Sequence, residues 1–226
     1  MSFFYNDLLF EIYHYIPKSN IQLLNKSSKR LHVINERIKR YVYHQQFDDL
    51  KKGLFEGCKT GDIQLVLRMI QKGADHWNSG LEYACANGNI KIVKLMIKKG
   101  ANGWSWGLRG ACQGGNMKIV KLMIKKGAIG WNWGLEYACR SGNMKIVKLM
   151  IKRGANNWNW GLQDACRGGN MKIVKLMIKK GANNWNKGLY NACQSGYMKI
   201  VELMIEKGAD QCIYCNKSVS EHLLKK

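Results

Sequence analysis

Gly115-Asn116-Met117-Lys118-Ile119-Val120-Lys121-Leu122-Met123-Ile124-Lys125-Lys126-Gly127-Ala128 is the stretch on which the reading of this chain turns. Apolar residues at 117, 119, 120, 122, 123 and 124, with lysine at 118, 121 and 125, make a helical stripe and not the alternation of a strand. Asn116 stands where an N-cap side chain would accept an exposed amide hydrogen. Gly127 stands at the C′ position, where a chain leaving a helix turns left-handed. Lys125 and Lys126 fall in the last turn and meet the negative end of the helix dipole.

The same glycine-alanine step returns every 27 residues, at Gly73-Ala74, Gly100-Ala101, Gly127-Ala128, Gly154-Ala155, Gly181-Ala182 and Gly208-Ala209. A beat that strict predicts stacked units, hence a solenoid. Ahead of the specimen helix lie a shorter segment, Gly107 to Gln113, and a turn, Gly114-Gly115. Each unit therefore reads as two short antiparallel helices and a connector, and six pairs begin near Leu54, Leu81, Leu108, Leu135, Leu162 and Leu189. Helices of about eight to ten residues are marginal alone in water, so the stability has to come from stacking. Ala84, Ala111, Ala138, Ala165 and Ala192, each followed by cysteine, put small side chains where neighbouring units approach. The fold class expected is all-α.

The chain has 226 residues, 46% of them hydrophobic, which excludes disorder as its overall state. Its 37 lysines and arginines against 15 acids give a formal net charge of +22, attractive to nucleic acid, anionic membrane or acidic protein. No apolar run approaches the roughly 20 residues of a membrane span, and residues 1–10 carry no basic region ahead of an apolar stretch. Six of the eight cysteines, at 58, 85, 112, 139, 166 and 193, ride the beat. Units about 10 Å apart exceed the reach of about 7 Å that a disulfide allows. Buried reduced thiols are expected, and with them the cytosol or nucleus as the compartment, in a chain read as soluble, intracellular and monomeric.

The run from Gly115 to Ala128 resembles the second helix of ankyrin repeats, and Gly107-Leu108-Arg109-Gly110-Ala111-Cys112 resembles their first helix, over residues 54 to 210. The resemblance implies an ankyrin-repeat solenoid that binds a protein client on the concave, first-helix side. Two departures stand out. The usual repeat is about 33 residues, so about six are missing between Ala128 and Leu135, where the family keeps its hairpin finger. The Thr-Pro that opens its first helix is replaced here by Trp-Gly or similar.

All eight tryptophans, at 77, 104, 106, 131, 133, 158, 160 and 185, are assigned to that shortened connector. They either seal the gap between units or offer an aromatic platform to bases or to a partner. Lysines at 118, 121 and 125 and their counterparts share one outward face, and residues 76–187 hold twenty basic against three acidic residues. That face either keeps the stack soluble or binds phosphate. The second helix hardly varies between units, whereas the first does, so recognition of a client is expected at Arg109, Tyr137, Arg140, Asp164, Arg167 and Tyr190.

Residues 1–47 break the beat and predict a small helical segment, with a helix ended by Pro17. Leu8, Leu9, Ile12, Pro17, Ile21 and Leu24 resemble an F-box, which implies docking to a Skp-type adaptor of cullin-RING ubiquitin ligases; the alternative is a cap on the first repeat. The pairing of such a head with ankyrin repeats, in a Lys-, Asn- and Ile-rich chain, resembles the multigene ankyrin proteins of large DNA viruses. Cys212, Cys215 and His222 in the tail, residues 211–226, fall short of a four-ligand zinc site. No nucleophile-base set, phosphate loop or carboxylate pair recurs, so neither catalysis nor a cofactor is expected. The functional expectation is a non-enzymatic adaptor, with nonspecific nucleic-acid binding by the lysine face and tryptophans as the alternative.

Overall fold

The computed structural model describes residues 49–212 and 217–218. The F-box-like positions Leu8, Leu9, Ile12, Pro17, Ile21 and Leu24, and the tail residues Cys215 and His222, lie outside the described residues. The chain divides into two compact units, Met1–Gly53 and Leu54–Lys226. The described helices come in pairs: α1 (Leu50–Thr60) with α2 (Ile63–Gln71), α3 (Trp77–Asn87) with α4 (Ile90–Lys98), α5 (Trp104–Gln113) with α6 (Met117–Lys125), α7 (Trp131–Arg140) with α8 (Met144–Lys152), α9 (Trp158–Arg167) with α10 (Met171–Lys179), and α11 (Trp185–Ser195) with α12 (Met198–Glu206). A two-residue antiparallel pair, β1 (Gln211–Cys212) with β2 (Lys217–Ser218), follows. The six expected helix pairs are present.

Each unit repeats one core. In the α7–α8 unit, Leu135, Ala138 and Cys139 of the first helix and Ile146, Val147 and Met150 of the second have no exposed surface. Gly134 lets the two helices meet: a Cβ there would lie 2.5 Å from the Met150 sulfur. The glycine-alanine beat is the helix stop. Gly127 takes φ +98°, its N–H donates to the Ile124 carbonyl at 3.0 Å, and the Ala128 N–H donates to the Met123 carbonyl at 3.0 Å. These two bonds make a Schellman motif, and Ala128, 3% exposed, tucks beneath it.

The N-caps also connect the units. Asn143 Oδ1 accepts from the Ile146 N–H at 3.2 Å, while its Nδ2 donates to the Gly115 carbonyl of the preceding unit at 3.0 Å. Asn170 repeats the arrangement with Ile173 and Gly142, as Asn89 does with Ile92 and Gly61. One amide thus satisfies a helix start and an orphan carbonyl together.

The first helices begin earlier than the sequence suggests. All eight tryptophans lie in their first turns and not in the connector: Trp104 and Trp106 are the first and third residues of α5. Asparagine one residue further in makes this start stable without the Thr-Pro opening. Asn132 Oδ1 accepts from the N–H groups of Asn156 and Asn157, at 2.8 and 3.0 Å, across the shortened connector. Asn78, Asn159 and Asn186 serve their own units likewise, and Ser105 accepts from the Ile129 N–H at 3.0 Å. The gap left by the missing hairpin is therefore bridged by a polar side chain.

Cys58, Cys85, Cys112, Cys139 and Cys166 are buried free thiols. Burial pushes Cys58, Cys85, Cys112 and Cys166 up to about 12 and Cys139 upward as well. Since only the thiolate attacks, a thiol-specific reagent at pH 8 is expected to leave all five unmodified in the folded protein and to label them in denaturant. Mass spectrometry reads the outcome, and labelling of the folded chain at Cys112 or Cys139 would contradict it.

Candidate functional site

Helical residues four and seven apart share a face. On α7 this aligns Trp133, Tyr137 and Arg140, and on α9 Trp160, Asp164 and Arg167. Between the two helices lies a cavity of about 230 Å³, lined by Glu136, Tyr137, Arg140, Trp160, Gln163, Asp164, Arg167 and Asn191. Four of the six sequence-predicted residues, Tyr137, Arg140, Asp164 and Arg167, meet there. Arg109 stands one unit earlier, its Nε donating to Glu82 Oε1 at 2.8 Å and its guanidinium carbon 5.9 Å from the Tyr137 ring centre. Tyr190 sits half-buried on α11 and is not among the lining residues.

The varied positions are largely engaged with one another across units. Arg140 Nε and Nη2 donate to Asp164 Oδ1 at 2.9 and 2.6 Å, and Arg140 also lies 5.3 Å from the Tyr137 ring centre. Arg167 Nε donates to Asn191 Oδ1 at 3.0 Å. Asp164 and Asn191 are 7% and 5% exposed, so each is a buried polar group satisfied by its neighbour's arginine. Variation between units therefore has a structural component, since each unit carries the complement of the next.

Two charges in the cavity are left without an opposite charge of their own. Arg167 has a neutral partner at Nε. Glu136 is half-buried, and desolvation, with Asp164 adding to it and Arg140 opposing, raises its carboxyl above the ordinary range. Folding thus disfavours the ionised Glu136. Beside it runs a row of exposed indoles, Trp106, Trp133 and Trp160, at 46, 49 and 54%. Lys187 ends the row, its Nζ 5.9 Å from the Trp160 ring centre. Trp160 was missed as a site residue because its place in the first helical turn is hidden by the Trp-Gly spacing. Its position four residues before Asp164 was the available signal.

The other tryptophans behave differently. Trp104, Trp131 and Trp158 are half-buried, with Lys126, Arg153 and Lys180 of their own units 5.7, 5.6 and 5.7 Å from the ring centres. The second helices present Lys118, Lys121 and Lys125 and their counterparts to solvent. Among the described residues, the ion pairs are Lys52–Asp49, His76–Asp75, Arg109–Glu82 and Arg140–Asp164, and none involves these lysines. Among the same residues, no group of three or more His, Cys, Asp and Glu gathers to hold a metal, and no helix is long and apolar enough to cross a membrane.

A family model described as ankyrin repeats (3 copies) matches residues 54–159 and 135–215. Among solved structures, the chain is similar to the crystal structure of the human ASB11 ankyrin repeat domain, at 20% identity and a TM-score of 0.48, covering 73% of this chain and 88% of that one. A search of curated proteins found no match.

Proposed function

The chain belongs to the ankyrin-repeat family, a scaffold of protein–protein interaction, and on that premise we propose that its first-helix face docks a protein client at the cavity between α7 and α9. The observation that carries the reading is the meeting in the cavity lining of exposed Trp160 with Glu136, whose charge folding disfavours, beside exposed Trp133 one turn earlier on α7. Exposed tryptophans are the residues that most often anchor interfaces. Arg109, Tyr137, Arg140, Asp164, Arg167 and Tyr190 give this face its unit-by-unit identity. The activity is adaptor-like and non-enzymatic, in a reducing compartment, cytosol or nucleus, as suits a row of buried thiols. The F-box-like segment, Leu8 to Leu24, connects the client to a ubiquitin ligase through a Skp-type adaptor, of the host cell if the source is viral.

Affinity capture with mass spectrometry compares the wild-type chain with Trp133→Ala/Trp160→Ala and with Glu136→Gln. Both variants are expected to lose the same captured protein. Glu136→Gln should be at least as stable as wild type at pH 7, because a carboxyl raised in the folded state opposes folding once the pH passes its unfolded value. Equal capture by all three chains sinks the first-helix reading, and purification without any Skp-type adaptor or cullin removes the ligase link.

A second reading, nucleic-acid binding, is favoured by one observation: between residues 76 and 187 the three acids, Glu82, Glu136 and Asp164, all lie on first helices. The second helices there are cationic only.

A further inference from the structure

We infer that the second helices of the four middle units form a bounded phosphate comb that docks a nucleic-acid backbone without reading its sequence. The inference deepens the nucleic-acid reading and rests on it. From Ile90 to Lys99 and in the three matching segments, each unit carries four exposed cations, as at Lys118, Lys121, Lys125 and Lys126, for sixteen in all and no acid. Interspersed signs are what a merely solubilising surface uses, since a one-sign field repels itself.

The comb has ends, and they distinguish a site from a general coat. On α2 the positions equivalent to the first three lysines are Gln64, Leu67 and Gln71, which carry no charge, and only the fourth, Lys72, remains cationic. On α12 Glu202 and Glu206 stand where the middle units have lysine, and with Lys199 and Lys207 they leave that face with no net charge. A face shaped for solubility alone has no reason to stop at these two borders. At about 10 Å per packed unit, three steps cover about 30 Å. Over that length a duplex presents about 18 phosphates, at one per roughly 1.7 Å. One face meets only the part of these that turns toward it, so sixteen exposed cations suffice to neutralise the phosphates within reach.

An anionic membrane fits less well. Helices that lie on lipid insert an apolar face, and here the apolar face of each second helix is consumed by the stack, Ile119, Val120 and Met123 having no exposed surface. Arginine is scarce in the comb and no base-reading motif accompanies it, so the contact is electrostatic.

The test is an anisotropy titration of the full chain against two short labelled DNA duplexes of unrelated sequence, over a salt series, beside phosphatidylserine vesicles. Both duplexes should bind equally at low salt, with affinity falling as at least about the fourth power of salt, each neutralised phosphate contributing a slope of about 0.9. Lys121→Glu/Lys148→Glu should weaken binding more than tenfold and flatten the slope. Glu202→Lys/Glu206→Lys, which lengthens the comb, should tighten binding at least threefold. Trp133→Ala/Trp160→Ala should bind like wild type, so that failure of the comb and failure of the first-helix reading are told apart. Absence of binding at low salt, a flat salt response, no change in either charge variant, loss in the tryptophan variant, or binding to vesicles but not to duplex overturns the inference.

Discussion

Gly114→Val is expected to destabilise the stack by about 3 kcal/mol, at the upper end of what overpacking a close-packed contact costs. A Cβ on Gly114 would sit 2.1 Å from the Ala86 carbonyl oxygen, and one on Gly110 2.4 Å from the Glu82 carbonyl oxygen. Both clashes are with backbone of α3, so no rotamer change relieves them and the two units must separate. Gly168 stands equally close to the Arg140 carbonyl at the α7–α9 boundary. At two units where this position is not glycine the side chain bonds the preceding unit instead: Asn87 Nδ2 donates to the Lys59 carbonyl at 2.7 Å, and Ser141 Oγ to the Cys112 carbonyl at 3.0 Å. Chemical denaturation measures the effect. Because a stack gains its stability from nearest-neighbour interfaces, the transition should also broaden as the flanking units unfold separately. A loss below about 1 kcal/mol, the low end for overpacking, would refute the close approach.

Met150→Ala is expected to cost a similar amount, about 3 kcal/mol, from the range for emptying a buried methionine site. Met150 has no exposed surface, and its sulfur fills the space that Gly134 leaves open. The pair should therefore be coupled. Gly134→Ala alone forces the Met150 side chain to move, whereas in the Met150→Ala background the added methyl enters vacated space, and the combined loss should be smaller than the sum of the two. A double-mutant cycle by urea denaturation reads this directly. Strict additivity would mean that the sulfur and the glycine do not share that space.

The elements that sequence made legible are those whose partners lie within one turn or one stop. The N-cap at Asn116, the exit at Gly127 and the lysine face follow from spacings of three and four residues, and all are found where expected. What stayed hidden depends on partners 24 to 28 residues away. Asn132 bridging to Asn156 and Asn157, Arg140 reaching Asp164, and Asn143 bonding Gly115 all join positions that a perfect repeat renders equivalent. The period itself conceals which copy touches which. The tryptophans were misplaced for a related reason: Trp-Gly stands where the family opens its first helix, yet Gly161, three residues after Trp158, is already helical, and its bare Cα admits the Met177 sulfur. Of the candidate site, the varied positions were visible as variation, but their mutual pairing and the inclusion of Trp160 needed the fold.

The inter-unit bond from the cap asparagine has a direction. Asn89, Asn143 and Asn170 each donate backwards, to a carbonyl in the unit already synthesised. As the chain leaves the ribosome, amino-terminal segments first, each of these three units finds its acceptor waiting, so for them the order of translation is also an order of assembly. The same asymmetry makes the 27-residue segment self-sufficient as genetic material. A tandem duplication in frame brings with it a donor for the unit before and an acceptor for the unit after, so the stack lengthens without any compensating change at the join.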